Sequence, residues 1–155
     1  MTMSRMITIL CLLLTVSITA SAQDAVYIVD GQVSNANVSH ADILTTSILD
    51  SAQLAALNYR NYKSGGTIII TKQYAIKLYQ QKFGTLNKKY KEYLDQKHSD
   101  SNLAYVLNNT ILNMEKKSAI DELYELKPDD IKSVSFKKDS HFTTDATVII
   151  ITKDQ

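Results

Sequence analysis

The sequence predicts an α+β fold of two related strand-rich repeats joined by a long amphipathic helix, behind an N-terminal export signal. Three observations carry this. Two short β-branched runs, Thr67-Ile68-Ile69-Ile70-Thr71-Lys72 and Val148-Ile149-Ile150-Ile151-Thr152-Lys153, are nearly the same. Two stretches that open on an aromatic, Tyr27–Asn35 and Tyr105–Asn113, share the order aliphatic pair, turn dipeptide, aliphatic, Asn. Between the copies, apolar residues recur at spacings of three and four.

The first 22 residues have the three parts of a secretion signal. Arg5 supplies the basic segment, Ile7–Val16 is uncharged and apolar, and Ala20-Ser21-Ala22 closes it with small side chains. The expected cut follows Ala22. The run is short of the roughly 20 residues of a membrane span. Cys11 lies inside it, preceded by Ile9-Leu10 rather than the small residues a lipidated Cys requires. Cleavage removes the only cysteine and Arg5, which leaves basic and acidic residues in balance and no disulfide chemistry. A neutral chain is a poor match for nucleic acid or an anionic membrane. No second apolar run approaches spanning length, so no transmembrane segment is expected after cleavage.

Residues 23–72 form the first expected unit. Tyr27-Ile28-Val29 suits a strand, and Asp30-Gly31 suits a tight hairpin turn, since both residues tolerate positive φ. Asp42-Ile43 opens a strand over Ile43–Leu49. Asp50-Ser51 caps a short helix over Ala52–Tyr59, and Ser64-Gly65-Gly66 turns the chain into the strand Thr67–Lys72. Residues 99–155 form the second unit. There Asn108-Asn109 takes the place of Asp-Gly, a helix over Ser118–Leu126 ends before Pro128, and Asp130-Ile131 opens a strand over Ile131–Lys137. Residues 73–98 are the connection, a helix from Gln73 to Gln96 followed by a polar linker. Ile76, Tyr79, Phe83, Leu86, Tyr90 and Tyr93 make its apolar stripe. Gly84 is a candidate kink or division into two helices, because a helical glycine costs about 1 kcal/mol relative to Ala.

The first unit resembles the plug domain of TonB-dependent outer-membrane receptors, most closely the large carbohydrate-uptake type. The likeness lies in Val26–Gly31, Asp42–Leu49, Ser51–Asn58, Gly65-Gly66 and Thr67–Lys72, and it runs without a gap from Asp42 to Lys72. The second unit is a weaker, degenerate copy, lacking Asp-Gly and the Ala-rich helix. The resemblance covers about half of the chain after the signal and implies plug-like repeats in a Gram-negative envelope. It does not imply transport, because no barrel strands follow, and no TonB-engaging box is recognisable near Gln23.

Catalytic, cofactor and metal residues are not expected. His40 and Asp42, His98 and Asp100, and Asp139 and His141 are spaced to share a strand face, but their surroundings are polar and no zinc-type spacing occurs. Asp50-Ser51 lacks a nucleophile-elbow context. With Ala52 it also resembles a short O-glycan acceptor pattern of some envelope proteins. Tyr79, Tyr90 and Tyr93 are the candidate partner surface, because tyrosine favours half-buried interfaces; packing on the protein's own sheets is the simpler alternative. Asp30, Gly31, Gly65, Gly66, Asn108 and Asn109 are assigned to turns. The expectation is therefore an exported, periplasmic or outer-membrane-associated binding module whose partner is an envelope protein or a second copy, met through the Tyr-bearing helix or an exposed strand edge. A small secreted hydrolase or metal-dependent enzyme and a structural envelope protein are the alternatives.

Overall fold

The computed structural model describes residues 25–138 and 144–153. The expected signal with Cys11, and the pair Asp139 and His141, lie outside the described residues. The fold is α+β, with two four-stranded sheets and four helices among the described residues.

The first sheet has the order β2-β1-β4-β3, from β1 Val26–Val29, β2 Gln32–Val33, β3 Ile43–Leu49 and β4 Gly66–Thr71. Helix α1, Ser51–Ala56, lies between β3 and β4. β1 and β4 run parallel, while β2 and β3 are antiparallel to their neighbours. The second sheet has the order β6-β5-β8-β7, from β5 Leu103–Leu107, β6 Thr110–Leu112, β7 Ile131–Lys138 and β8 Ala146–Thr152. Its pairings have the same directions. The outer long strand of each sheet carries a bulge next to its first residue, at Ile43–Thr45 and at Ile131–Ser133. β-Branched residues explain the strands, since their crowded χ1 fits a pleated surface better than a helix.

Both hairpin turns adopt positive φ, at Asp30 and Gly31 (53° and 80°) and at Asn108 and Asn109 (48° and 68°). Each turn is also tied to the end of the neighbouring parallel strand. Asp30 Oδ1 accepts from the Thr71 N–H and Oδ2 from the Thr71 hydroxyl, both at 2.8 Å. Asn108 Oδ1 accepts from the Thr152 N–H, and its Nδ2 donates to the Thr152 hydroxyl, both at 2.9 Å. A threonine hydroxyl can donate or accept, so carboxylate and amide make the same two-point lock.

Gly65 and Gly66 do more than turn the chain. Gly65 has φ +80°, and a Cβ there would lie 2.6 Å from the Leu49 carbonyl oxygen. A Cβ on Gly66 would meet the Val26 carbonyl oxygen at 2.6 Å and crowd Leu54. That close approach lets Leu54 of α1 seal a small core with Val26 and Ile28. The helix has a capping box: the Gln53 N–H donates to Asp50, and the Gln53 side chain accepts from the Asp50 N–H.

The connection is divided, though not at the expected position. It is two helices, α2 Lys72–Leu86 and α3 Lys88–Lys97. The break falls at Asn87 and not at Gly84, which stays helical within α2. Asn87 is extended (φ −142°, ψ 110°) and caps α3 by accepting from the Tyr90 N–H at 3.0 Å. Its Nδ2 donates to the Val134 carbonyl at 2.9 Å, which ties the break to β7. With the chain redirected there, Leu86 leaves the stripe and is 45 % exposed.

α2, α3 and α4 (Lys117–Glu125) cover one face of the second sheet. The main core joins Tyr79 and Phe83 of α2, Tyr90 of α3, Leu123 of α4, and Tyr105, Val148 and Ile150 of the sheet. Leu44 of β3 belongs to the same core and links the first sheet to it. Lys82 fastens α4: its Nζ donates to the carbonyls of Leu123, Tyr124 and Leu126. A cation at a helix C-terminus satisfies carbonyls that have no helical partner. Among the described residues no helix is long and apolar enough to cross a membrane.

The two-point lock predicts the outcome at the first turn. Asp30→Asn should change stability by less than about 0.5 kcal/mol, because the amide reproduces the Asn108 geometry. Asp30→Ala should cost about 1–2 kcal/mol, because it strands the part-buried Thr71 N–H and hydroxyl. Urea unfolding of the two variants checks this; equal losses in both would remove the lock.

Candidate interaction surface

Of the tyrosines expected to form a partner surface, Tyr79 and Tyr90 are buried in the core instead. Tyr79 is 1 % exposed and Tyr90 is 0 % exposed. Neither can meet a partner, because both rings are core. The ring of Tyr79 lies 5.8 Å from Phe83 and 5.7 Å, edge-on, from Tyr105. Tyr93 is half-buried with its ring 5.5 Å from Phe136, and its hydroxyl donates to Asp145 Oδ2 at 2.8 Å.

The buried phenols need partners, and they find them in one network. Tyr79 and Tyr105 both donate to Asp100 Oδ2, at 2.8 and 2.7 Å. The Tyr90 and Tyr105 hydroxyls bond to each other at 2.8 Å. Burial raises Tyr79 far above the ordinary phenol value, and the Asp100 charge adds to it. Burial also raises Tyr90 and Tyr105. Tyr93 is pushed up to about 12 by desolvation and by its bond to Asp145. Lys82 moves the other way, lowered by desolvation.

A groove of about 680 Å³ lies between the first half of α2 and the segment from His98 to Leu103, with Asp30 and Asp100 on its wall. Asp30 is held by Thr71 and Asp100 by two phenols, so both carboxylates serve as structural acceptors. His98 is the left-handed residue that ends α3, at φ 56°, and it is exposed. His40 is also exposed, in the loop before β3. Among the described residues, no three His, Cys, Asp or Glu side chains are grouped to hold a metal ion.

The first sheet presents a different kind of surface. Helix α1 and the main core occupy the face that carries Val26, Ile28 and Leu44. The opposite face follows from register: Tyr27 pairs Thr67, Ile48 pairs Thr67, and Thr46 pairs Ile69, and paired residues share a face. There Ile48 is 85 % exposed and Tyr27 51 % exposed. Thr46, Ser47 and Ile48 are all exposed on β3, which among the described residues is hydrogen-bonded on one side only. Among the described residues, no hydrogen bond outside the β3–β4 ladder uses a backbone group of Ile43–Leu49. Among the described residues this face is left uncovered at Tyr27 and Ile48 and ends in an open strand edge.

Sequence reasoning placed a strand at Ile43–Leu49 but did not single it out, because a strand's edge position depends on the sheet order. The available signal was its lack of charge. Asp100 was noticed only as a neighbour of His98, and its role required the fold. Comparison with protein-family models, curated proteins and solved structures finds no match for this chain.

The phenol network sets the alkaline limit of the fold. A raised pKa means the protonated phenol is favoured in the folded state. The stabilisation is complete below the ordinary phenol pKa of about 10 and declines as pH rises beyond it, where the unfolded phenols ionise first. Tyrosinate absorbance follows phenol ionisation as the pH is raised. Tyr79, Tyr90 and Tyr105 should ionise only at higher pH, together with loss of the near-ultraviolet circular dichroism. Ionisation of all nine tyrosines in one step near pH 10, with the fold intact, would contradict the network.

Proposed function

We propose that this chain is a non-catalytic interaction module of the bacterial envelope, exported and then held in the periplasm or at the outer membrane. The observation that carries the reading is the uncovered first sheet, with Ile48 85 % exposed on an open edge strand. Leaving a large β-branched side chain in water is unfavourable by about 1.5–3 kcal/mol relative to burial, a cost that contact with a partner recovers.

The module is read as two copies of one plug-like unit joined by the α2–α3 connection. Support comes from the common strand order, the matching parallel pair, and the bulge in the same place. The turn lock repeats as well, at Asp30 with Thr71 and at Asn108 with Thr152. Backbone bonds repeat with it: Asp30 N–H to Ile69, Asn108 N–H to Ile150, Lys72 N–H to Asp42, and Lys153 N–H to Asp130. The export signal in the sequence supports the compartment. No part of this reading requires a barrel or a transport step.

The test is a photo-crosslinking amino acid placed at Ile48 and, as a control, at the exposed Glu122 of α4. Envelope preparations expressing each form are irradiated. A discrete product joining the chain to a second polypeptide is expected at position 48 and not at position 122. No product at position 48, or the same products at both positions, would count against the reading.

A further inference from the structure

We propose that β3 is a self-pairing edge, through which two copies of this chain join antiparallel about a two-fold axis into one eight-stranded sheet. The inference rests on the interaction-module reading and names its partner.

The four sheet edges are treated differently. β2 is two residues long and β6 three, too short to template another strand. β7 is eight residues long but carries Lys132, Lys137 and Lys138. Lysines on an edge oppose pairing, because a docking strand would have to bury or crowd them. β3 is seven residues long and has no charge, no proline and no glycine: Ile-Leu-Thr-Thr-Ser-Ile-Leu. It is the one long edge among the described strands without such a guard.

The same seven residues choose the partner. Read in either direction, β3 is two aliphatics, three hydroxyl residues and two aliphatics. Antiparallel pairing centred near Thr46 therefore sets Thr45-Thr46-Ser47 of one copy against the same three hydroxyl residues of the other, in the regular part of the strand past the bulge at Ile43–Thr45. That is the self-complementarity a two-fold contact requires. Cross-strand hydroxyl pairs are favourable, and without charge no like-charge pair arises at the axis. A perpendicular two-fold axis also keeps each uncovered face on the same side of the joined sheet. Ile48 and Tyr27 of both copies then line one continuous apolar surface.

The chain is measured in solution by light scattering, with Cys11 replaced by Ser. Twice the mass of one chain is expected at concentrations of about 0.1 mM. Thr46→Lys should weaken association by roughly tenfold or more, because it places like charges opposite each other; its circular dichroism reports whether it is folded. A second variant does not depend on that outcome. Thr46→Cys, near the axis, should form an intermolecular disulfide under mild oxidation, whereas Lys132→Cys on β7 should not. A monomer with no Thr46→Cys crosslink overturns self-pairing, and so does a dimer indifferent to Thr46→Lys. If the chain is monomeric while position 48 still crosslinks to another envelope protein, β3 takes a foreign strand: self-pairing fails and the interaction-module reading stands. If neither occurs, both fail.

Discussion

Three phenol hydroxyls buried in one core set the main constraint on this molecule. A buried hydroxyl without a partner costs about 1–3 kcal/mol, and α2, α3 and β5 each bring one to the same place. Asp100 accepts from two of them, and the third is satisfied by its neighbour. Asp100 lies just past the end of α3 and three residues before β5. The bonds therefore fix where the connection ends and where the second sheet begins. The rings supply the apolar contact and the hydroxyls supply the register.

The helix break at Asn87 follows from the same packing. A straight helix from Lys72 to Lys97 would be about 39 Å long at 1.5 Å per residue. Broken at Asn87, the chain returns over the sheet, so Phe83 and Tyr90 share a core with a ring separation of 6.5 Å. Asn87 serves both parts, capping α3 with its oxygen and reaching β7 with its nitrogen. The helical layer is thus joined to the second sheet by bonds as well as by apolar contact. The first sheet shares that core through Leu44 and keeps its other face open.

Local chemistry was legible and tertiary placement was not. The strand Ile43–Leu49 could be read to its ends, because β-branched residues and flanking Asp residues mark it. Asp30-Gly31 and Asn108-Asn109 were readable as turns from their tolerance of positive φ. The same pairs' side-chain bonds to Thr71 and Thr152 span about 40 residues and leave no local trace. The tyrosine stripe was correctly periodic, yet periodicity cannot tell a helix that faces its own sheet from one that faces a partner. Asn87 did carry a local sign, an N-cap residue type within the stripe, but the apolar repeat on both sides outweighed it. The open edge at β3 was invisible for a topological reason: among the described strands, the one that follows it in the chain is its only neighbour in the sheet.

The lock between turn and strand end bears on how likeness between the two halves of this chain can be measured. Asp30 and Asn108 differ in charge and in letter, and an alignment that counts identities scores them as a loss. Physically they are one device, because Thr71 and Thr152 reverse the direction of a single hydroxyl proton to suit whichever side chain is present. Likeness of bond pattern is therefore visible here where likeness of residue names is not. In a chain of this size, a few such proton-ambivalent partners are enough to carry a shared geometry past the point where the letters stop agreeing.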